Sequence, residues 1–451
     1  MKRKITQKLE EWKATAANET ALLIDGARRV GKSYAAETFA KSAYKSYILI
    51  DFNKAPAAVR DIFENDLEDL PTFYRRMSEY YGVRLYEGET LFIFDEVQEF
   101  PKARAAIKYL VADGKYHFLE TGSLVSIQEN VAGIVIPSEE EHIRMYPMDF
   151  EEFLWATGRE MLAETIATHA QEETSLGAAH RKAMEAFREY LVVGGMPQAV
   201  AKWLATQDLS AVDRTKRRIL DLYRADIRKH AGKYALKAEA VFDEIPAQLS
   251  RHDKKFRLAS LGADARMREY EDAFLWLKDA MVVNPSYNTS EPTLGLKLSA
   301  DSATLKCYMA DTGLLVSHAF SANELAAEEI HRRLMFDSVS LNEGMLIENI
   351  VAQMLTARGM DLFFYSRSDR EHAENRMEID FLLPNAEVKR SRNVSVVEVK
   401  SEKDYSLTSM NKYYHKFKDS IRSRLVLHPK DVKVVDDIRY LPLYMTPWFK
   451  E

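Results

Sequence analysis

Gly26-Ala27-Arg28-Arg29-Val30-Gly31-Lys32-Ser33 reads G-x-x-x-x-G-K-S. A loop of this kind surrounds phosphate oxygens with backbone N–H groups and with the positive end of the helix that follows it. Context decides whether the match carries meaning. Upstream, Ala21-Leu22-Leu23-Ile24 is a short apolar run that predicts a buried strand. Downstream, Tyr34-Ala35-Ala36-Glu37-Thr38-Phe39-Ala40 is a helix-forming segment. Strand, glycine-flanked loop and helix together are the setting the motif requires. Gly26 and Gly31 supply backbone freedom and close approach to a ligand. The pattern assigns Gly26 through Tyr34 to nucleotide binding, Lys32 to the β- and γ-phosphates, and the Ser33 hydroxyl to Mg²⁺. By accident it arises in about one or two chains in a hundred of this length, and the flanks lower that further.

Outward from the loop, Tyr47-Ile48-Leu49-Ile50-Asp51-Phe52 predicts a second strand. Residues 57–81 read as charged helix interrupted by Pro71. Leu91-Phe92-Ile93-Phe94-Asp95-Glu96 is an apolar run ending in two carboxylates. A strand of a parallel sheet is buried on both faces and therefore continuously apolar, and its carboxyl end opens where ligands of such sheets sit. Asp95 is the expected Mg²⁺ ligand and Glu96 the expected general base for water. A strand ending in a solvated acidic turn has the same residues; the loop upstream favours the functional reading. After a helix at 102–111, Tyr116-His117-Phe118-Leu119 predicts another strand, followed by Glu120-Thr121-Gly122-Ser123. Thr121 and Ser123 are candidate sensors of the γ-phosphate or the water; a plain turn is the alternative. Residues 130–145 read as loop and edge strand, and Glu139-Glu140-Glu141 as a solvated charge run. Arg28 and Arg29 are weighed as phosphate or interface contacts, and Arg144 as an arginine finger in a neighbouring subunit, each against a plain solvent-facing arginine.

The 451 residues allow two or three domains. With 46% hydrophobic residues, 29% charged residues and a net charge of −6, the composition is that of a globular chain with no global positive field. A single cysteine, Cys307, excludes an internal disulfide framework and a Cys-rich zinc site; within Leu305-Lys306-Cys307-Tyr308-Met309, read as a packed strand, it is expected to be a small buried hydrophobe. No apolar run approaches membrane-spanning length, and Met1-Lys2-Arg3-Lys4 leads into a polar helix. The expectation is a soluble cytoplasmic protein without membrane partners.

Gly26–Ser33, Phe94-Asp95-Glu96-Val97-Gln98, Glu120-Thr121-Gly122-Ser123 and Tyr146-Pro147-Met148-Asp149-Phe150-Glu151-Glu152-Phe153-Leu154 occur in that order. In this the chain resembles the AAA-type ATPases of bacteria and archaea that carry a C-terminal restriction-endonuclease-like domain of unknown function. The last stretch is the discriminating one. The resemblance extends to Tyr190-Leu191-Val192-Val193-Gly194-Gly195-Met196-Pro197-Gln198 and Leu222-Tyr223-Arg224-Ala225-Asp226-Ile227, and implies a helical lid over the nucleotide. Where many relatives have a Gly-Arg step, this chain has Ile134-Val135-Ile136-Pro137, so no trans-acting arginine is assigned.

Residues 236–298 suggest a winged helix. It would have helices at 241–249 and 268–280, a strand from Met281-Val282-Val283 and a returning wing strand at Leu294–Leu298. Arg251, Lys254, Lys255, Arg257, Arg266 and Arg268 cluster around the expected recognition region. Such a unit can place a helix in a DNA major groove or serve only for packing between domains. Beyond Asp311-Thr312-Gly313-Leu314-Leu315, the expected order is helix at 343–358, strands at 363–366, 378–383 and 396–400, basic aromatic helix at 405–420 and strand at 424–428. It resembles the restriction-endonuclease core with its D-…-E-x-K signature. Asp380 and Glu398 would hold one or two Mg²⁺ ions beside a phosphate. Lys400, two positions from Glu398, points to the same face of its strand. Glu348 resembles the helix carboxylate that completes such sites. Polar residues on an edge strand would give the same alternation.

The fold expected is α/β, with a P-loop AAA-type core (1–150), helical lid (151–232), winged helix (233–304) and restriction-endonuclease-like domain (305–451). Two functions remain open: an ATPase coupled to a DNA- or RNA-binding or nuclease-like domain, or a nucleotide-controlled switch whose nuclease-like fold binds a partner without cleavage. A homo-oligomer is compatible with both. A small-molecule kinase leaves the C-terminal half unexplained. The absence of an N-K-x-D motif favours ATP over GTP.

Overall fold

The computed structural model describes residues 1–123, 138–293, 295–320, 324–336, 343–369, 372, 375–385, 392–402 and 404–451. They form two compact units, Met1–Tyr146 with Asp279–Met281, and Pro147–Lys278 with Val282–Glu451. The segment 130–137, including Ile134 to Pro137, and Leu294 lie outside the described residues.

The first unit is a parallel sheet. Its strands are β1 (Ala21–Asp25), β2 (Ser46–Asp51), β3 (Thr90–Asp95), β4 (His117–Gly122) and β5 (Glu140–Arg144), in the order β2-β3-β4-β1-β5. Every neighbouring pair is parallel. β1, β3 and β4 are buried along their whole length; β1 and β3 accordingly read as apolar runs ending in a carboxylate, whereas β4 carries buried His117, Glu120 and Thr121. Helices α1 (Ile5–Thr15), α2 (Lys32–Ala43), α3 (Ala57–Asn65), α4 (Leu70–Tyr81) and α5 (Pro101–Asp113) complete it. Pro71 does not interrupt a helix; it stands in the first turn of α4, behind the Asp69 cap, where its missing N–H costs nothing. Phe52, Phe63, Phe73, Phe94 and Phe118 are each at most 1% exposed and contribute about 2–3 kcal/mol apiece by burial. β5 is the edge strand, but its acidic run is not wholly solvated. The Glu140 side chain is fully buried, 2.7 Å from Arg104 and 2.6 Å from His142.

The second unit opens with helices at Phe150–Ala156, Glu160–Glu172, Ala179–Val193, Pro197–Thr206, Leu209–His230, Ala235–Leu249 and Met267–Asp279. An eight-stranded mixed sheet follows, in the order β12-β13-β11-β10-β9-β8-β6-β7. Its strands are β6 (Val283–Thr289), β7 (Ala300–Met309), β8 (Leu362–Arg367), β9 (Met377–Pro384), β10 (Val394–Val399), β11 (Ile421–His428), β12 (Lys433–Val435) and β13 (Ile438–Pro442). β6 and β7 are antiparallel, as a wing would be. However, β6 also pairs in parallel with β8, so the hairpin extends the C-terminal sheet, and the boundary expected at 304/305 falls inside β7. The returning strand expected at 294–298 is not found over the described residues 295–298. Leu298 N donates to Gly295 O at 2.7 Å, Leu296–Ser299 coils into a 3-10 turn, and the chain extends only from Ala300.

Two of the stretches that carried the family resemblance, those containing Met148 and Tyr190 to Gly195, meet at one junction in this unit. Met148 N donates to Gly195 O at 2.7 Å, Tyr190 Oη to Met148 O at 2.8 Å, and Gly195 N to Asp311 Oδ2 at 2.6 Å. A Cβ on Gly195 would stand 2.1 Å from Met148 O, so only glycine admits the approach. Gln353, in the helix Glu343–Ala357, donates to Tyr190 Oη at 2.8 Å. No helix among the described residues is long and apolar enough to cross a membrane.

Candidate functional site

The loop between β1 and α2 turns on Gly31, whose φ of 99° lies in the left-handed region at the N-cap of α2. Gly26 packs so tightly that a Cβ would stand 2.4 Å from Met145 O. Lys32 is 8% exposed and donates to Gly26 O at 2.9 Å and Ala27 O at 3.1 Å. Burial pushes its ammonium below the usual lysine range, against the pull of Glu96, Asp95 and Asp25. Arg3 also holds the loop, donating to Val30 O at 2.9 Å and Tyr146 O at 2.7 Å; the sequence showed it only as part of a basic N-terminus. Arg28, Arg29 and Tyr34 are exposed, Ala27 and Val30 buried.

The strand order places β4 between β1 and β3, so the ends of all three converge. Asp95 Oδ1 accepts from Ser33 Oγ at 2.7 Å and, in a short hydrogen bond, from Thr121 Oγ1. Thr121 Oγ1 in turn accepts from Glu96 N at 3.4 Å. Burial raises the Asp95 carboxyl above its ordinary value, and the Thr121 and Ser33 hydrogen bonds oppose that. Glu96 adopts a left-handed backbone, φ 54°, uncommon for a residue with a side chain and characteristic of positions fixed by their surroundings; Gln98 Nε2 donates to its Oε2 at 2.5 Å. Ser123 lies just beyond β4 and is half-buried. Arg144 is exposed, with its Nε 3.8 Å from Asp25 Oδ2. Ser33 and Asp95 present adjacent oxygens of the hard type that suits Mg²⁺.

The second site lies in the C-terminal sheet. β9 and β10 are antiparallel, with Val397 opposite Phe381. One step further this register sets Glu398 beside Asp380, and Val399 N donates to Asp380 Oδ2 at 2.8 Å. Toward β8, three residues (Phe363 to Tyr365) face four on β9 (Leu382 to Ile379). β9 thus bulges at the aspartate, and a bulge re-aims a side chain. Lys400 Nζ donates to Glu398 Oε2 at 2.6 Å. Burial, then Asp380, raises Glu398 to about 7, with Lys400 opposing. Glu348, from the helix Glu343–Ala357, completes the group. Burial disfavours its charge, yet Lys254 and Lys306, aided by hydrogen bonds from Lys254 and Tyr308, hold it at about 2.

The structure brings Glu348, Asp380, Glu398 and Lys400 together with three further partners. Lys306 Nζ, fully buried, is 3.0 Å from Glu348 Oε1, 2.9 Å from Glu378 Oε1 and 3.8 Å from Asp380 Oδ1. Tyr308 Oη donates to Glu348 Oε1. Lys254 pairs with Glu348 Oε2, so it belongs to the ion-pair cluster and not to an exposed recognition surface; Arg257, Arg266 and Arg268 are exposed. The available signal was Lys306 and Tyr308 alternating about Cys307 in the buried C-terminal half of β7. Cys307 is buried, which pushes its thiol up. A cavity of about 190 Å³ adjoins the cluster, lined in part by Lys254, Ile347, Lys400 and Tyr405.

Residues 18–154 match the model of an AAA domain. Residues 184–325 and 343–445 match two domains of unknown function, DUF8612 and DUF4143. Residues 18–154 thus carry a P-loop domain of AAA type. No curated protein matches the chain. Among solved structures, a Walker-type ATPase of Pyrococcus abyssi is 15% identical, covering 69% of this chain and 94% of its own, at a TM-score of 0.39. Cdc6p of Pyrobaculum aerophilum is 11% identical, covering 73% and 93%, at 0.24. A DNA replication initiation factor is 12% identical, covering 60% and 76%, at 0.25.

Proposed function

We propose that the chain is a Mg²⁺-dependent ATPase of AAA type. The observation that carries this reading is the joint placement of Ser33, Asp95, Glu96 and Thr121 beside the loop holding Lys32. Backbone N–H groups of Gly26 to Ser33 and the start of α2 bind the phosphates, and Lys32 reaches the β- and γ-phosphates. Ser33 and Asp95 would hold Mg²⁺, which would supply charge neutralisation on the phosphate oxygens. Glu96 takes the proton of the attacking water. Thr121 fixes Asp95 and the Glu96 backbone together, so it couples the metal ligand to the base, with Ser123 as a second sensor. The experiment is phosphate release by the full chain with ATP and Mg²⁺, compared in Lys32→Ala and Glu96→Gln. Wild-type turnover indistinguishable from Lys32→Ala would end the proposal.

For the rest of the chain we read helices within 151–232 as the lid, 233–304 as derived from a winged helix, and the sheet beyond as restriction-endonuclease-like. The last reading is supported by the succession of helix Glu343–Ala357, β8, β9, β10, helix Thr408–Phe417 and β11, by antiparallel pairing across β8-β9-β10 followed by a parallel β10-β11 step, and by the meeting of Glu348, Asp380, Glu398 and Lys400. A DNA or RNA backbone is the partner that this fold would take. Of the two functional readings, Lys306 favours the one in which this half binds a partner under nucleotide control without cutting it: an ammonium group already stands among the carboxylates. Absence of Mg²⁺- or Mn²⁺-dependent cleavage of single- or double-stranded DNA and RNA, with ATPase intact, is the expected result.

A further inference from the structure

We propose that Lys306 takes the position of the divalent cation in the C-terminal carboxylate cluster, so that this cluster is closed to metal by the chain's own ammonium group. The inference rests on the reading of this half as nuclease-like, which supplies the expectation of a metal there.

The residues present do not fit a metal. A Mg²⁺ ion needs six oxygens at about 2.0–2.1 Å in near-octahedral geometry. The three carboxylates assigned to it by sequence offer six oxygens, and five of them are engaged. Glu348 Oε1 accepts from Lys306 and Tyr308, and Glu348 Oε2 from Lys254. Asp380 Oδ1 faces Lys306 at 3.8 Å, and Asp380 Oδ2 accepts from Val399 N. Glu398 Oε2 accepts from Lys400. Of these six oxygens only Glu398 Oε1 is buried without a partner, and among the described residues no group of three His, Cys, Asp or Glu residues is arranged to hold a metal ion. Lys306 cannot swing out to solvent, because it projects from the middle of β7 with its stem buried and its ammonium 5.1 Å from the centroid of Phe364. It also satisfies the cluster electrically. Lys254, Lys306 and Lys400 face Glu348, Glu378, Asp380 and Glu398, so three positive charges meet four acidic groups before any ion is added. A divalent cation entering here would displace or repel a buried ammonium that has no other partner site.

The test is Mn²⁺ binding, read by the loss of the free-ion electron paramagnetic resonance signal. It uses the full chain without nucleotide, in a Ser33→Ala background so that the P-loop contributes no ion. Wild type at Lys306 is expected to bind no Mn²⁺. Lys306→Met is expected to gain one ion per chain, lost again on adding Asp380→Asn; should Lys306→Met not fold, Lys306→Gln replaces it. A wild-type Mn²⁺ site abolished by Asp380→Asn or Glu398→Gln would overturn the inference while upholding the nuclease-like reading. Failure of folded Lys306 variants to gain an ion would overturn both.

Discussion

At the residue scale, Thr121 is the side chain that ties the hydrolytic site together, touching the expected metal ligand and the backbone of the expected base. Thr121→Val keeps the shape and removes the hydroxyl. Its loss is worth about 1.4 kcal/mol, the size of a net hydrogen bond, which corresponds to about tenfold in turnover. Phosphate release is expected to fall by that order while ATP affinity, measured by equilibrium titration, stays within about threefold. Thr121 was legible because it follows an apolar strand in a chain with a P-loop upstream. Arg3 and Lys306 were not. Arg3 reaches the loop from the segment before α1, 27 positions from Val30, and Lys306 meets residues 42, 72 and 74 positions away in sequence. No local pattern records such contacts, since a lysine in a strand reads the same whether it faces water or three carboxylates.

At the element scale, the stretch from Tyr146 to Leu154 has a physical explanation within the second unit. Asp149 accepts from Glu152 N at 2.9 Å and Glu152 Oε2 accepts from Asp149 N at 3.2 Å, a reciprocal cap on the helix Phe150–Ala156. Asp149→Ala is expected to cost about 1 kcal/mol, seen as a lower urea midpoint. Gly195→Ala is expected to cost more, about 3 kcal/mol, because the added methyl meets the Met148 backbone and not a side chain that can move; a midpoint equal to wild type would mean that the junction is looser than described. The resemblance marked these stretches without saying what they do, and what they do is pack against one another. The wing strand failed for a local reason. Leu294 to Leu298 is apolar enough for a strand, but Gly295 and Leu298 close a turn. The true strand begins with exposed, polar Asp301 and Ser302, which carry no apolar alternation.

At the scale of the whole molecule, each unit carries a group of charges whose behaviour can be measured. In the second, His428 is buried between Tyr405, 2.8 Å from Nδ1, and the Asp431 carbonyl, 3.3 Å from Nε2. Burial pushes its pKa down to about 4, against the hydrogen bond to Asp431. The unfolded chain, with histidine near its ordinary value of about 6.5, then binds the proton that the folded chain refuses. The contribution is fully present above about pH 6.5 and is lost as pH falls toward 4. The thermal midpoint is therefore expected to drop across that interval, and less steeply in His428→Gln. The parallel sheet and its loop were legible because burial on both faces leaves a continuous apolar signature. The mixed sheet beyond was legible in the order of its strands but not in its extent, since nothing local shows that β6 and β7 join it. ATP hydrolysis by Lys32, Asp95 and Glu96 is tested most directly by phosphate release beside equilibrium ATP binding for wild type, Lys32→Ala and Glu96→Gln. Lys32→Ala is expected to lose both, and Glu96→Gln to keep binding while turnover falls about 10²–10⁴-fold. Wild-type turnover in Glu96→Gln, or ATP binding unchanged in Lys32→Ala, would contradict it.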